Sequence, residues 1–257
     1  MRKSRVTADY LRRRYPKARP ELPPAFRAVY DLHMLDNRTG GTTASRMSSA
    51  MESWMHRQVA SLSGSNEGPV LELGAGTLNQ IPYESPAPDY DIVEPYELLF
   101  RDSPWLGSVN KAYHDIREID DTLRYARITS VAVLEHVTDL PELIARCALL
   151  LVESGVFQAA IPSEGTWLWR LGTLYSGREF RRRFGLDYRV MMKYEHVNTA
   201  SEIEEVLGYF FREMSCRVFG LTRGTSFYRY YECRMPDRSK AADFIPEKPG
   251  EPDYNTG

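Results

Sequence analysis

The chain has 257 residues, of which 42% are hydrophobic and 26% are charged, the composition of a folded globular protein. Its formal net charge of −2 gives no overall attraction to nucleic acid, and it contains no apolar run of the roughly 18 residues that a membrane span needs. The polar N-terminus lacks the apolar stretch of a secretory signal and the three cysteines are sparse, so we expect a cytoplasmic protein without a disulfide framework.

The N-terminal quarter of the chain has a helical pattern. Apolar residues recur at helical spacing over residues 24–36 and 44–62, and Gly40 and Gly41 between them permit a turn or a close approach to a ligand. The basic run Arg12–Arg14 is interpreted as a solvated helix face, with phosphate binding as the alternative.

From Gly68 onward, short apolar strands alternate with helix-sized segments. The predicted strands of this part are residues 70–73, 90–93, 109–113, 128–134 and 156–161. A helix is predicted over residues 141–152, and this alternation indicates a parallel sheet with crossover helices. A helix over residues 200–213 precedes two closely spaced strands, 216–222 and 226–234, which we expect to pair antiparallel.

The pattern as a whole predicts an α/β fold with a doubly wound sheet of seven strands, mostly parallel, with an antiparallel last strand. Residues 1–67 are expected to form a helical N-terminal lid and residues 68–235 the α/β domain. Residues 163–198, which are aromatic, basic and irregular in pattern, are expected to form an inserted cap over the sheet edge. Residues 236–257 hold four prolines and little apolar content, which predicts a disordered tail.

A glycine-rich turn and three acidic positions follow successive predicted strands. The run Glu72-Leu73-Gly74-Ala75-Gly76-Thr77 stands at a strand-to-helix turn, where glycines let the backbone pass close to a ligand. Glu94 ends the second strand, Asp115 follows the third, and Glu135 with His136 follows the fourth. Because ligands bind at the carboxyl ends of strands in open α/β sheets, we expect one site here, with Glu94 accepting hydrogen bonds from both hydroxyls of a ribose.

These segments give the chain a resemblance to a known family. Residues 68–163 resemble class I S-adenosylmethionine-dependent methyltransferases, in particular their small-molecule, type 11-like branch, through the segments 70–77, 93–95, 114–116 and 133–139. The resemblance implies a Rossmann-like fold, S-adenosylmethionine as cofactor and a methyltransferase activity. The cofactor-binding residues that it implies are Glu72, Gly74, Ala75, Gly76, Thr77, Glu94, Pro95, Asp115, Ile116 and Glu135.

One departure and two rival interpretations stand beside this resemblance. Many relatives carry glycine where this chain has Leu78, so the end of the turn is altered. A dinucleotide oxidoreductase would need a third glycine at Asn79, and it is absent. The other alternative is a binding protein with a catalytically dead methyltransferase fold. The presence of both the glycine turn and Glu94, the acid expected to bind ribose, disfavours it.

Three residues are candidates for handling the acceptor's proton. His136 follows the fourth strand at the cofactor edge, and histidine has a pKa suited to general base catalysis. His196 with its neighbour Glu195 is the second candidate, although adjacent residues on a strand would point to opposite faces. Some relatives, including small-RNA 2′-O-methyltransferases, place Glu-x-x-Glu-His after strand four and bind a divalent ion. In this chain Ala132 occupies the position of the first of those glutamates, so no metal is expected.

The cap is expected to select the acceptor. Its aromatic side chains suit sugar rings and other flat molecules, and its arginines suit a phosphate or carboxylate. The candidate substrate residues are Trp167, Tyr175 and Arg178, with Glu164 also on the acceptor side. We therefore predict transfer to a small acceptor, a hydroxyl of a sugar or nucleotide-sugar, with an amine acceptor left open. RNA or protein is the alternative substrate, and the near-neutral charge disfavours nucleic acid.

Overall fold

The computed structural model describes residues 6–30, 43–61, 68–86 and 89–245. The helices in these ranges are α1 (Ala8–Arg14), α2 (24–30), α3 (Thr43–Ala60), α4 (Leu140–Leu150), α5 (Trp167–Phe184), α6 (Tyr188–Glu195), α7 (Ala200–Phe210) and α8 (Arg238–Ala242). The strands are β1 (Val70–Leu73), β2 (Tyr90–Val93), β3 (Lys111–Tyr113), β4 (Tyr125–Val131), β5 (Leu151–Pro162), β6 (Phe211–Thr222) and β7 (Thr225–Pro236). Within the same ranges, no helix combines the length and the apolar content needed to cross a membrane.

The strands form one seven-stranded sheet in the order β3-β2-β1-β4-β5-β7-β6. Neighbours from β3 to β5 pair parallel, whereas β7 lies antiparallel between β5 and β6. This confirms the predicted fold class, including the antiparallel last strand. Strand order reverses at β1, which lies between β2 and β4, and ligands of open α/β sheets bind at such a switch point.

The central strands are buried on both faces, which explains their uninterrupted apolar runs. All four residues of β1 and all four of β2 are buried. On one face, the apolar sides of α4 and α7 pack into the main core through Ile144 and Ile203. On the other, Met55 and Val59 of α3 pack against Tyr230 of β7.

The N-terminal segment is fastened to the α/β core by α1. Leu11 and Tyr15 are buried in the main core. The exposed Arg12 and Arg14 also make bonds: Arg12 donates to the carbonyl of Asp243 at 2.8 Å, and Arg14 pairs with Glu202 at 2.5 Å. The segment continues into α2, whose Phe26 packs with residues of α5 and α6. Gly40 and Gly41 lie outside the described residues.

The segment between β5 and α7, which the sequence predicted as an inserted cap without a regular pattern, contains the two helices α5 and α6. The Thr166 hydroxyl accepts from the Trp169 amide at 3.3 Å and starts α5, and Gly185 ends it with φ +71°. The Asp187 carboxylate accepts from the Arg189 amide at 3.0 Å and starts α6. Local capping residues therefore determine where α5 and α6 begin and where α5 ends, although the hydrophobic pattern did not reveal either helix.

Two boundaries near the C-terminus differ from the sequence prediction. Strand β6 begins at Phe211, because residues 211–214 pair with β7, so the predicted extension of the helix to residue 213 was wrong. The tail prediction was wrong for residues 236–245, since Asp237 caps α8, Ala241 is fully buried and Phe244 packs on Phe210. Residues 246–257 lie outside the described residues.

Candidate active site

The turn after β1 depends on two glycines for different reasons. Both adopt left-handed backbone angles, with φ +63° at Gly74 and +53° at Gly76. A Cβ at Gly74 would lie 2.4 Å from Cγ2 of Val133, so glycine is required there by contact with the segment after β4. A Cβ at Gly76 would meet no atom of the described residues within 4 Å. That side of the turn is open to a ligand.

The same turn ends at a leucine in a conformation that glycine usually adopts. Leu78 has φ +67° and is fully buried, in a small cluster with Val70, Ile92 and Phe100. A left-handed non-glycine residue costs about 1–2 kcal/mol. Full burial of a leucine side chain contributes about 1.5–3 kcal/mol, which offsets that strain. The departure from the family pattern therefore keeps the turn's shape and adds packing beneath it.

The carboxylate of Glu94 connects the turn after β1 with the turn after β2. One oxygen accepts from the Gly76 amide at 2.8 Å and the other from the Tyr96 amide at 3.0 Å. The side chain is 6% exposed, so it is held rigidly. A carboxylate has about four lone-pair positions, so two remain for further donors such as ribose hydroxyls.

Glu72 is a buried residue of β1. It is 4% exposed and accepts from the Tyr90 hydroxyl at 2.8 Å. Burial raises the pKa of Glu72 to about 8, although the Tyr90 hydrogen bond favours the charged form.

The other residues in the predicted cofactor set lie along the same edge with different exposures. Asp115 is half-exposed and accepts from the Arg117 amide at 2.8 Å, which starts the short turn after β3. Ile116 is buried in the main core, so its side chain packs with other core residues. Ala75 is buried beside Leu78, while Thr77 is half-buried and Pro95 is exposed.

A second group of polar residues forms around the turn at residues 134–136, which follows β4. His136 Nδ1 lies 2.8 Å from the Glu195 carbonyl oxygen, and its Nε2 lies 3.8 Å from Oε1 of Glu135. The ring of His196 lies 4.9 Å from that of His136, and its Nδ1 is 3.0 Å from Oε2 of Glu164. We call Glu135, His136, Glu164, Glu195 and His196 the histidine cluster.

The structure corrects the expectation that Glu195 and His196 point to opposite faces. Helix α6 ends at Glu195 and His196 is its C-cap, so the strand geometry behind that expectation does not apply. Glu195 Oε2 lies 3.4 Å from Nδ1 of His136, and the His196 ring contacts the same histidine. All three predicted proton-handling residues are therefore together.

Residues that the sequence did not point to hold the histidine cluster in place. The buried amide of Asn198 donates to the carbonyls of Leu134 at 2.8 Å and Val137 at 2.6 Å. Arg19 donates to the carbonyls of His136 at 2.5 Å and Tyr194 at 2.8 Å. Three distant segments thus meet at the end of β4 through bonds to backbone carbonyls.

Burial and neighbouring charges act in opposite directions on His196. Burial lowers the pKa of its imidazole, but the hydrogen bond to Glu164 and the charge of Glu135 outweigh it and leave the pKa raised. The ring also stacks on Trp169 at 6.1 Å, and Trp169 meets Tyr228 edge-on at 6.1 Å. An aromatic wall therefore borders the histidine cluster, and Tyr228 is a member that the sequence did not suggest.

The predicted substrate residues do not gather at one place. Trp167 is 62% exposed at the start of α5. Arg178 is exposed on the same helix, 11 residues further on, which is about 16 Å along the axis. The side chain of Tyr175 lies outside the described residues.

No protein-family model matches the chain, and no curated protein matches it. The fold is similar to a SAM-dependent methyltransferase from Thermotoga maritima, a possible histamine N-methyltransferase, with TM-score 0.52 and 15% identity over 82% of this chain and 96% of that one. It is also similar to the plantazolicin methyltransferase BpumL, solved with S-adenosylhomocysteine and a monoazolic desmethylPZN analogue, with TM-score 0.54 and 16% identity over 82% of this chain and 90% of that one.

A third similar structure carries no methyltransferase name. It is a possible exported protein from Bordetella parapertussis, with TM-score 0.53 and 13% identity over 89% of this chain and 78% of that one. At these identities the likeness concerns the fold. The chain has the Rossmann-like fold of class I methyltransferases, as its sequence resemblance implied. The type 11 branch stays a prediction, since no family model matches.

Proposed function

We propose that this protein is an S-adenosylmethionine-dependent methyltransferase that acts on a small acceptor. The observation that carries the proposal is the position of Glu94, fixed by the Gly76 and Tyr96 amides at the switch point of the sheet. Two free lone-pair positions on a buried carboxylate suit the two hydroxyls of a ribose. The open side of Gly76 leaves room for the amino-acid part of the cofactor.

The histidine cluster supports an acceptor site next to this cofactor site. Val133, which contacts the position of Gly74, precedes His136 by three residues, so the two regions adjoin. When bound, S-adenosylmethionine supplies an electrophilic methyl group. His136 and His196 are the candidates to take the proton of an attacking hydroxyl, with Glu195 and Glu164 orienting their rings.

The aromatic wall supports a sugar or nucleotide-sugar as the acceptor. Trp169 and Tyr228 offer ring faces and edges beside His196. An amine acceptor needs less help from a base and is the main alternative within the class, followed by RNA or protein. The alternative of a dead fold predicts cofactor binding without turnover of any acceptor.

Calorimetric titration of the purified protein with S-adenosylmethionine and, separately, with NADH tests the class. We expect micromolar binding of S-adenosylmethionine only. Glu94→Ala should weaken that affinity more than tenfold, because about 2 kcal/mol is lost with the ribose contacts. Glu97→Ala is the matched control, since it removes an exposed acid three residues away. Equal affinities of the two variants would refute the role of Glu94, and binding of NADH alone would refute the class.

A further inference from the structure

The histidine cluster contains three side chains whose ligand atoms converge. Among the described residues, Glu135, His136 and His196 each place one nitrogen or oxygen within 4.8 Å of the other two. Metal–ligand bonds of about 2.1 Å hold ligand atoms within about 4.2 Å of one another. Closing the group around one ion therefore needs side-chain movements of about half an ångström.

The hydrogen bonds of both histidines leave the same ring nitrogen as the electron-pair donor. The Glu195 carbonyl can only accept, so Nδ1 of His136 is the protonated nitrogen and the lone pair of the neutral ring is on Nε2. The ionised carboxylate of Glu164 also only accepts, which gives His196 the same tautomer. Histidines that bind metals in proteins are held in this way, with the second ring nitrogen donating to a carbonyl or carboxylate.

The third side chain is a buried carboxylate with unused bonding capacity. Glu135 is 2% exposed, and its Oε2 has no hydrogen-bond partner among the described residues. Leaving such an oxygen unpartnered is costly in a protein interior. A cation bound at Oε2 would satisfy it.

The charges around the group also call for a cation. The carboxylates of Glu164 and Glu195 lie 3.0 and 3.4 Å from the two histidine rings, which adds two negative charges to that of Glu135. The nearby guanidinium of Arg19 donates to backbone carbonyls and not to these acids. A divalent ion would neutralise most of this charge.

We propose that Glu135, His136 and His196 bind one divalent first-row transition-metal ion, such as Zn²⁺ or Mn²⁺. Two imidazole nitrogens and one carboxylate suit these ions, whereas Mg²⁺ and Ca²⁺ prefer all-oxygen sites. The sequence-based expectation of no metal considered only Glu135 and His136. The structure adds His196, which comes from the end of α6, 60 residues later in the chain.

The use of the ion in catalysis rests on the proposed function, whereas its binding does not. Three protein ligands leave coordination positions open to an acceptor oxygen. A metal-bound hydroxyl loses its proton far more readily than a free one. With both Nε2 atoms bound to it, the ion would replace the histidines as the group that promotes loss of the acceptor's proton. The proton would pass to water, and the acceptor oxygen would form its bond to the methyl carbon as the carbon–sulfur bond breaks.

The test uses the full chain without an affinity tag, treated with a chelator and titrated calorimetrically with Zn²⁺, Mn²⁺ and Mg²⁺ in the absence of S-adenosylmethionine. We expect one equivalent of Zn²⁺ or Mn²⁺ to bind, and Mg²⁺ to bind at least tenfold more weakly. Glu135→Gln and His196→Ala should each weaken binding of the transition metal at least tenfold. His114→Ala, which removes an exposed histidine outside the cluster, should bind as the unmodified protein does.

Thermal unfolding provides a second readout that keeps the test decisive if a variant is less stable. Added Zn²⁺ or Mn²⁺ should raise the Tm of the unmodified protein and of His114→Ala, but not that of Glu135→Gln, because only a folded site binds the ion. Absence of binding, or equal binding by all variants, would overturn the metal site. Failure of the proposed function would show separately, as a protein that binds the metal but not S-adenosylmethionine.

Discussion

The glycine turn and the histidine cluster adjoin at the end of the same strands but are built in opposite ways. The glycine turn and Glu94 lie within 23 residues of chain, and backbone amides fix the carboxylate. The histidine cluster combines the end of β4, the end of β5 and the end of α6, and Arg19 and Asn198 hold it through carbonyls. The first region is specified locally and the second by tertiary contacts, so different substitutions should disturb each.

Substitution at the contact between the two regions should give one of the two largest losses of stability, the other being Leu78→Ala. Gly74→Ala adds about 1–2 kcal/mol of left-handed strain and about 1–3 kcal/mol from overpacking against Val133, a total of about 2–5 kcal/mol in the free energy of unfolding. Urea unfolding measures this. Gly76→Ala should lose only the first part, because its Cβ enters open space among the described residues. Equal losses for the two variants would contradict the contact with Val133.

Substitution of Asn198 tests whether the histidine cluster forms independently of the glycine turn. Asn198→Ala removes two hydrogen bonds to buried carbonyls, which should lower the free energy of unfolding by about 1–3 kcal/mol. Cofactor affinity should change little, because the Glu94 contacts are untouched. A loss of S-adenosylmethionine affinity as large as that of Glu94→Ala would show that the two regions do not form independently.

At Leu78, substitution by glycine should destabilise the protein less than substitution by alanine. Leu78→Ala loses the packing of a fully buried leucine, about 2–5 kcal/mol, and keeps the left-handed strain. Leu78→Gly loses one more buried carbon than alanine does, about 0.8 kcal/mol, but relieves about 1–2 kcal/mol of strain. Glycine should therefore be less destabilising than alanine here, as urea unfolding of both variants can show. The reverse order would mean that the backbone is not strained at this position.

The smallest effect concerns the N-terminal segment that braces the cluster. Burial alone would raise the pKa of Glu202, but hydrogen bonds from Lys17, Thr199 and Arg14 lower it to about 2. A lowered folded-state pKa stabilises the protein above the unfolded value of 4.5, and this stability is lost as the pH falls from there towards 2. Since the groups are partly exposed, we expect a change under about 1 kcal/mol.

Urea unfolding at about pH 6 and about pH 3 measures this contribution. Glu202→Gln should lower stability at the higher pH and flatten the difference between the two conditions. The same pH dependence in the variant and in the unmodified protein would show that Glu202 does not contribute to it.

The difference between features specified by neighbouring residues and features specified by tertiary contacts also explains what the sequence could predict. The strand pattern and the glycine turn were readable because apolar runs and left-handed positions leave local signals, and the mostly parallel sheet with an antiparallel last strand followed from them. The meeting of His136 with His196 was not readable, because no local pattern reports a contact between residues 60 positions apart. The helices of residues 163–198 were missed because their apolar positions are interrupted by arginines and glycines, and capping decides their ends.

We propose that the two regions form one site, with the methyl donor at the turn and the acceptor at the histidine cluster. A crystal structure of the protein with S-adenosylhomocysteine tests it most directly. We expect the ribose hydroxyls to be bound to Glu94 and the sulfur to face His136 and His196. A ligand elsewhere, or one whose sulfur points away from the histidine cluster, would contradict it.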